Sequence, residues 1–333
     1  MPRVHRRYDG GVDRPPTNPL HLGTFRLDRP IAAGGMGQVW SGWHGDTPVA
    51  VKVLTGGAAW DPSFRSLFRN EVRAAARLTH PGIIEVLDHG EIPAAAAAAS
   101  GDALVAGSPY LVMEYASGGR LRRTGMHWAR LAPLLAHLLR ALGHAHARGV
   151  VHRDLKPSNI LMAGGSDLRS GAKISDFGIA WVGDQPVDAA FAGTAEFMAP
   201  EQHAGDWPAY GPWTDLYALG IVAWWLASGR TPFHGYAGRA VARAHMFLPP
   251  PPLAARFPLP EGFETWLRAL LHKDPTARFQ TAADALAGLQ ELPELDGPAP
   301  RRGSDDAPDS ELDVPTLVGV SSSAAPSSSS SSG

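Results

Sequence analysis

The chain has 333 residues, enough for one large two-lobed domain or for two ordinary ones. Its formal net charge of −2 and its pI near 6.7 give no electrostatic reason to expect a nucleic acid as partner. The absence of Cys excludes disulfides, thiolate zinc sites and cysteine nucleophiles. No apolar run is long enough to cross a bilayer, so we expect no membrane span and a cytoplasmic protein.

The first part of the chain combines an irregular tail with a strand-rich region. Residues 1–20 are rich in Pro, Gly and Arg without periodicity, so we expect them to be disordered. From Phe25 to Val53 the pattern predicts strands broken by a glycine turn, and 49–53 is the clearest of them.

The glycine turn runs from Ile31 to Val39 and contains Ala32, Gly34 and Gly37. Glycines in such a turn let the backbone approach phosphate groups and point its amides at them. Taken alone, the turn fits an ordinary hairpin better. It is not a Walker A loop, because no Gly-Lys-Ser/Thr sequence follows it.

A lysine on a strand and a glutamate on the next helix form the second candidate for phosphate binding. Apolar residues recur at helical spacing over 61–78, and Glu71 lies within that predicted helix. Its carboxylate is suited to hold the Lys52 ammonium at a pair of phosphates. For Glu71 alone a solvated helix charge is the commoner interpretation, but the spacing to Lys52 favours the pair.

Residues 83–92 and 109–115 are predicted strands, and 93–108 separate them. This segment contains six consecutive alanines, which favour a helix but offer no amphipathic face. We interpret 93–108 as a surface insertion in a hairpin.

The second part of the chain is mainly helical in its pattern. Residues 249–252 are four prolines, for which a loop between helices is preferred to a polyproline ligand. Beyond Pro293 the composition shifts to Pro, Asp, Gly and Ser, so 293–333 is predicted to be a disordered tail. The predicted helices are 127–148, 213–228, 238–246, 263–272 and a last one from Thr281 to about Leu292.

Three short segments in fixed order carry the chemistry: His152 to Asn159, then Asp176-Phe177-Gly178, then Ala199-Pro200-Glu201. Asp154 is suited to accept or orient the proton of a substrate hydroxyl. Lys156 can reach a transferred phosphoryl group. Asn159 and Asp176 offer the hard oxygen ligands that Mg²⁺ prefers.

The remaining charged and imidazole groups are expected to be structural. His152 should pack under the loop that contains it. His144 and His146 lie two positions apart on a predicted helix and point in different directions, which argues against a shared metal. Glu201 and Arg278 are expected to form a long-range buried ion pair.

Together these residues resemble the bacterial branch of the eukaryotic-like serine/threonine protein kinases, from about Leu22 to Leu292. The resemblance implies an α+β, two-lobed protein kinase fold. A small antiparallel β-sheet lobe with one main helix would cover about 21–115, and a larger, mainly helical lobe about 116–292. It also implies ATP with Mg²⁺, or Mn²⁺ as an alternative, protein Ser/Thr hydroxyls as acceptors including the chain's own, and a place in bacterial signalling.

The resemblance assigns the site residue by residue. Catalysis falls to Asp154, Lys156, Lys52, Glu71, Asn159 and Asp176, and the metal to Asn159 and Asp176. Met113 would be the gatekeeper, and Glu114 to Ala116 would bind the purine through the backbone. The nucleotide would also contact Ile31, Ala32, Gly34, Gly37, Val39, Ala50, Lys52 and Leu161, with Val39, Ala50 and Leu161 enclosing the adenine.

The sequence departs from that family pattern in its control elements. Ala32 replaces the usual first glycine of the turn, which is tolerable if its φ is negative. No Ser, Thr or Tyr lies between Asp176 and Gly193, so we expect no phosphorylation switch there. Asp184 or Asp188 is our candidate for the missing negative charge.

Two further features of the sequence bear on the choice of substrate and of partner. Arg120 and Ser158 stand where kinases that select an upstream arginine have carboxylates, so we expect no such demand. Thr316 in the tail could dock a phosphothreonine-binding partner once phosphorylated, although an inert linker is the commoner interpretation.

Two other functions compete with an active kinase. Ala32 slightly favours a pseudokinase-like scaffold that binds nucleotide without turnover, whereas the charged residues named above argue against it. A small-molecule kinase on a related fold is disfavoured by Gly193-Thr194, by the segment ending at Glu201 and by Asp215, which belong to protein-acceptor architecture.

Overall fold

Antiparallel strands build the first lobe in the computed structural model, which describes residues 20–34, 37–54, 62–101, 103–165, 167–177 and 195–295. Within these ranges six strands form one sheet in the order β1-β2-β3-β4-β6-β5. They are β1 Leu20–Leu22, β2 Phe25–Gly34, β3 Gly37–His44, β4 Thr47–Leu54, β5 Val86–Glu91 and β6 Pro109–Glu114. Leu20 was included in the tail predicted to be disordered over 1–20, but it lies in β1 and is buried; the rest of that tail is outside the described residues.

The alternation of side chains along β4 creates two different faces of this sheet. Val49, Val51 and Val53 join the buried core of the first lobe. Ala50 and Lys52 point to the opposite face, where the two lobes meet. One short strand thereby supplies both packing and candidate site residues.

Two helices accompany the sheet. Helix α1, Pro62–Ala75, is shorter than predicted and buries Phe68 and Val72 against Leu54 and Leu111. The alanine run forms α2, Ala94–Ala99, inside the insertion between β5 and β6. The run was predicted to form a surface insertion without an amphipathic face, and the structure adds that the small methyl group of Ala96 is buried in the core of the first lobe.

The second lobe is built around a helix that is buried on every side. Helix α5 spans Pro212–Ser228, and all its residues from Thr214 to Ala227 are buried, as expected for a helix that is apolar all round. The surrounding helices are α3 Trp128–His146, α4 Pro200–Ala204, α6 Arg239–Phe247, α7 Phe263–Leu270 and α8 Ala282–Gln290. The helix predictions for this lobe are therefore confirmed to within about two residues, α4 excepted.

Two local predictions for this lobe are also confirmed: the last helix begins at its N-cap residue Thr281, and 249–252 form a connection between helices. The Thr281 hydroxyl caps α8 by accepting a hydrogen bond from the Asp284 amide at 3.1 Å. The four prolines at 249–252 lie in the connection between α6 and α7, where the Arg268 guanidinium donates to the Pro250 and Pro251 carbonyls.

A two-stranded ribbon joins the lobes. Strands β7, Ile160–Ala163, and β8, Gly171–Ile174, pair antiparallel. The segment after α1 bonds to this ribbon, because Ile84 donates to the Ile174 carbonyl and Ile174 donates to the Gly82 carbonyl. None of the helices in the described ranges is long and apolar enough to span a membrane.

Candidate active site

In the loop between α3 and β7, the Asp154 carboxylate has one oxygen with a hydrogen-bond partner in the described part of the chain and one without. Asp154 Oδ2 accepts from Asn159 Nδ2 at 2.9 Å and lies 2.9 Å from Lys156 Nζ. Asn159 Nδ2 also donates to the Asp154 carbonyl at 2.8 Å. Asp154 Oδ1 is buried and has no hydrogen-bond partner among the described residues. A buried acceptor of this kind is costly unless a ligand donates to it.

Asp215, at the start of α5, holds the backbone of that loop. Its fully buried carboxylate accepts from the His152 and Arg153 amides and from His146 Nε2, each at 2.8 Å. Burial favours the neutral acid, but the bond to His146 and the charges nearby hold the pKa of Asp215 below its usual value. Asp215 thereby anchors two successive amides directly before Asp154.

The anchored backbone is strained. Arg153 has φ 67° and Asp176 has φ 61°, and no other non-glycine residue of the described ranges has a positive φ. Such conformations cost on the order of 1–3 kcal/mol each and are found mainly at functional sites. Gln202 supports the first of them by donating from its side chain to the Arg153 carbonyl at 2.7 Å.

His152 connects this loop to the segment that contains Asp176. Its Nδ1 accepts from the Asp154 amide, so Nε2 carries the proton and donates to the Ser175 carbonyl at 2.8 Å. Its ring centroid lies 4.7 Å from that of Phe177. His152 is buried and structural, as expected.

Asp176 contacts Lys52 across the lobes, with 2.6 Å between Oδ1 and Nζ. Burial would raise the pKa of Asp176, but the Lys52 ammonium outweighs it and holds that pKa below its usual value. Glu71 lies on α1, but its side chain is outside the described part of the chain, so the predicted Lys52–Glu71 pair stays a prediction.

The oxygen donors near Asp176 suit a magnesium ion that a nucleotide would complete. The structure brings Asn159 and Asp176 into neighbouring segments, because Ser175 donates its amide to the Asn159 carbonyl at 2.9 Å. Among the described residues no group of three His, Cys, Asp or Glu side chains could hold a metal by itself. Mg²⁺ commonly binds through one or two protein ligands together with phosphate oxygens, so the donor set fits it.

The predicted glycine turn lies between the paired strands β2 and β3. Ala32 pairs with Val39 and Gly34 pairs with Gly37 across β2 and β3, whereas residues 35 and 36 lie outside the described ranges. Ala32 does not have a positive φ, so no glycine is required at that position. At Gly37 a Cβ would collide with the Val53 carbonyl, so packing between strands already requires this glycine. Ile31 is 43% exposed at the edge of the turn.

An apolar cluster lies between the lobes beside these polar groups. Ala50, Ile84 and Met113 are its buried members. Val39, Tyr115, Ala116 and Leu161 pack against it, and Glu114 ends β6 next to Met113. The structure therefore brings together every side chain that was predicted to enclose an adenine.

The predicted ion pair between Glu201 and Arg278 in the second lobe is confirmed. Both nitrogens Nη1 and Nη2 of Arg278 lie 2.8 Å from the Glu201 carboxylate, which also accepts from the Thr214 hydroxyl. The segment 178–194, including Asp184, Asp188 and Thr194, lies outside the described ranges, so the hypotheses on those residues stay predictions.

The anchoring roles of Asp215, His146 and Gln202 were not predicted. Asp215 carried a usable signal, because a carboxylate at the start of an apolar helix is a buried charge that needs donors. His146 and Gln202 carried none, since their partners are backbone or side-chain groups distant in sequence.

Comparison with known proteins agrees with this geometry. A family model described as Protein kinase domain matches residues 25–288. The serine/threonine-protein kinase PknA of Mycobacterium tuberculosis is 40% identical over 285 residues, which are 80% of this chain and 62% of PknA. Serine/threonine-protein kinase Pkn1 of Myxococcus xanthus is 34% identical over 281 residues, which are 81% of this chain and 38% of Pkn1.

Solved structures give the same result. The kinase domain of Mycobacterium tuberculosis PknI is similar with a TM-score of 0.59 and 27% identity, covering 80% of this chain and 95% of that one. The chain spans 62% of the length of PknA and 38% of that of Pkn1, less than two thirds of either curated relative.

Proposed function

The chain belongs to the protein kinase family, and on that premise we propose that it is a serine/threonine protein kinase. It transfers the γ-phosphoryl group of Mg-ATP to Ser or Thr hydroxyls of proteins, its own included. The observation that carries this proposal is Asp154 Oδ1, a buried acceptor without a hydrogen-bond partner among the described residues, on a carboxylate that contacts Lys156 and Asn159.

Asp154 receives the acceptor hydroxyl. Asn159 and Lys156 occupy Oδ2, which leaves Oδ1 to accept the hydrogen bond of a Ser or Thr hydroxyl and to orient its oxygen for attack. As the hydroxyl oxygen bonds to the γ-phosphorus, the bond from that phosphorus to the β,γ-bridging oxygen breaks and ADP leaves, while the hydroxyl proton moves to Asp154 or onward to solvent. The Lys156 ammonium, 2.9 Å from Asp154 Oδ2, is assigned to stabilise negative charge on the transferred group.

Lys52 and Asp176 hold the phosphate side of the reaction. Mg-ATP, when bound, supplies the phosphoryl group and the metal charge that neutralises it. The depressed pKa of Asp176 keeps its carboxylate ionised, as a metal ligand must be. Asn159 would supply a neutral oxygen to the same ion, and Mn²⁺, which also prefers oxygen ligands, would be an alternative occupant. The Glu71 carboxylate is assigned to hold the Lys52 ammonium in position.

The purine lies against the apolar cluster between the lobes. Val39, Ala50 and Leu161 enclose it, Met113 limits its depth, and the backbone of 114–116 binds its edge. Ile31, Ala32, Gly34 and Gly37 cover the phosphates from the first lobe.

The proposal also covers the proteins that this chain would act on or bind. The acceptors are proteins with exposed Ser or Thr, without a demand for an upstream arginine because of Arg120 and Ser158. The proposal also includes a phosphothreonine-binding partner that docks at Thr316, and mass spectrometry of the chain would check whether Thr316 is phosphorylated. It further includes a cytoplasmic location, which cell fractionation would check. No observation on the described residues favours a scaffold without turnover.

A radiolabelled ATP assay with Mg²⁺ tests the proposal. Wild type, Asp154→Ala and Lys52→Met are compared, with Asp46→Asn at an exposed turn as the matched control. We expect labelling of the chain or of a general protein acceptor in wild type and in the control only. Equal labelling in all four proteins, or none in any of them, contradicts the proposal.

A further inference from the structure

The connection between β7 and β8 contacts both ends of the segment that joins the lobes. We name residues 164–170 the clamp and residues 114–117 the hinge. The clamp is described except for residue 166. Two of its charged side chains, Asp167 and Arg169, reach hinge residues that are 50 and 55 positions away in sequence.

Arg169 fixes the first end of the hinge. Its Nη2 lies 2.6 Å from Glu114 Oε1, and its Nε lies 3.4 Å from Oε2. The same guanidinium donates to the Ile83 and His80 carbonyls at 3.1 and 3.3 Å. Arg169 therefore ties the clamp, the hinge and the segment after α1 together, and the planar fork of arginine suits this geometry.

The Glu114 side chain is only 2% exposed and its charge is matched by donors on several elements. Oε1 also accepts from the Glu85 amide at 2.8 Å and lies 3.3 Å from the fully buried Lys173 Nζ. Lys173 donates in turn to the Pro81 carbonyl at 3.0 Å. Removal of one partner from such a buried set leaves uncompensated charge.

Asp167 fixes the other end of the hinge. Its Oδ2 accepts from the Ser117 amide at 2.8 Å, from the Ser117 hydroxyl at 2.9 Å and from the Gly164 amide at 2.6 Å. The approach is close, because a Cβ at Gly164 would lie 2.7 Å from Ser117 Oγ. Burial would raise the pKa of Asp167, but the bonds from Ser117 and Gly164 lower it, so they favour the carboxylate.

Only Tyr115 and Ala116 lie between these two attachments, and both pack on the apolar cluster assigned to the purine. We propose that the clamp fixes the hinge backbone in the conformation that binds the purine, with Asp167 and Arg169 as positioning residues. The inference rests on the proposed function for the identity of the ligand. A preordered backbone binds more tightly because less ordering entropy is lost on binding.

The test measures nucleotide affinity separately from transfer. Wild type is compared with Asp167→Ala and Arg169→Met, with Asp167→Asn and Arg169→Lys as conservative variants. The matched controls are Asp46→Ala and Arg140→Met, both at exposed positions. ADP affinity is measured by calorimetry, KM for ATP and kcat by the transfer assay, and exchange of the 115–117 amides by hydrogen-exchange mass spectrometry without nucleotide.

We expect Asp167→Ala and Arg169→Met each to weaken ADP binding and raise KM for ATP by about five- to tenfold, a size typical of lost charge-assisted hydrogen bonds. The value of kcat should change less than KM, the hinge amides should exchange faster, and the conservative variants should recover part of the affinity. The controls should match wild type.

Three results overturn the clamp. The first is ADP affinity and hinge exchange within twofold of wild type in both Asp167→Ala and Arg169→Met. The second is a fall in kcat at unchanged ADP affinity, and the third is a wild type that binds no ADP. If wild type binds ADP but transfers no phosphoryl group, the proposed function fails while the affinities of the variants still decide on the clamp.

Discussion

The two sides of the candidate active site are held by different kinds of contact. On the acceptor side, Asp215 is fully buried and binds backbone amides within the second lobe. On the phosphate side, the Lys52–Asp176 contact crosses the lobes, and the side chains of these residues are 17% and 34% exposed. The group assigned to the acceptor hydroxyl is thus fixed by the core, whereas the contact between the groups assigned to the phosphates depends on how the lobes stand to each other.

The largest expected effect is a loss of kcat at unchanged ADP affinity, which would distinguish the acceptor side of the site from the phosphate side. Asp154→Asn removes the carboxylate but keeps a polar side chain of similar shape, so kcat should fall about 10²- to 10⁴-fold, the usual contribution of a positioned base. ADP affinity should stay at the wild-type value, because Asp154 is assigned to the acceptor hydroxyl and not to the nucleotide. Steady-state kinetics and calorimetry measure the two quantities, and a parallel loss of ADP binding would show that the sides are not independent.

A buried ion pair should dominate the stability of the second lobe. The side chains of Arg278 and Glu201 are 0% and 4% exposed, so Arg278→Met leaves a buried carboxylate without its partner. We expect the free energy of unfolding to fall by about 3–5 kcal/mol in urea titrations. The double variant with Glu201→Met should recover part of that loss, and Arg140→Met is the exposed control. A single variant as stable as the control would contradict this account.

Acid should destabilise the same lobe through two histidines. Burial, with smaller contributions from His203 and Lys273, lowers the pKa of His245 to about 2, and burial also lowers that of His203 to about 4. Between pH 6.5 and about pH 4 the unfolded chain takes up these protons, whereas the folded chain does not. Stability is therefore present above pH 6.5 and is lost as pH falls.

For His245 alone the expected loss is about 2 kcal/mol between about pH 7.5 and pH 5. His245→Gln should remove that part of the pH dependence in urea titrations at the two pH values, and His234→Gln, at an exposed position, should not. An unchanged slope in His245→Gln would rule out this histidine as the cause.

The smallest effect is expected in the first lobe. Arg69 pairs with Glu91 at the surface, and both side chains are 49% exposed. Because solvent screens such a pair, Arg69→Met should change the free energy of unfolding by less than about 1 kcal/mol. A loss as large as that of Arg278→Met would remove the contrast between the lobes.

The sequence predicted those parts of the site that are close in the chain. Asp154, Lys156 and Asn159 lie within one short loop, so their meeting needs no knowledge of the fold. Lys52 and Asp176 are 124 positions apart, and only the family resemblance placed them together.

Other features could not be predicted because they depend on tertiary partners. The burial of Ala96 has no signal in a run of identical residues, since a methyl group packs wherever a neighbour approaches. Asp167 and Arg169 lie in an irregular connection without periodicity, and their partners are hinge groups that no spacing rule reaches.

The clamp also limits how the two lobes can rotate relative to each other. With Glu114 and Ser117 both attached to 164–170, and Gly118 bonded to the Met162 carbonyl, the unattached stretch is two residues long. Each residue contributes two soft backbone torsions, so lobe rotation has about four torsions to use. Opening and closing of the cleft is therefore confined to a few axes through Tyr115 and Ala116.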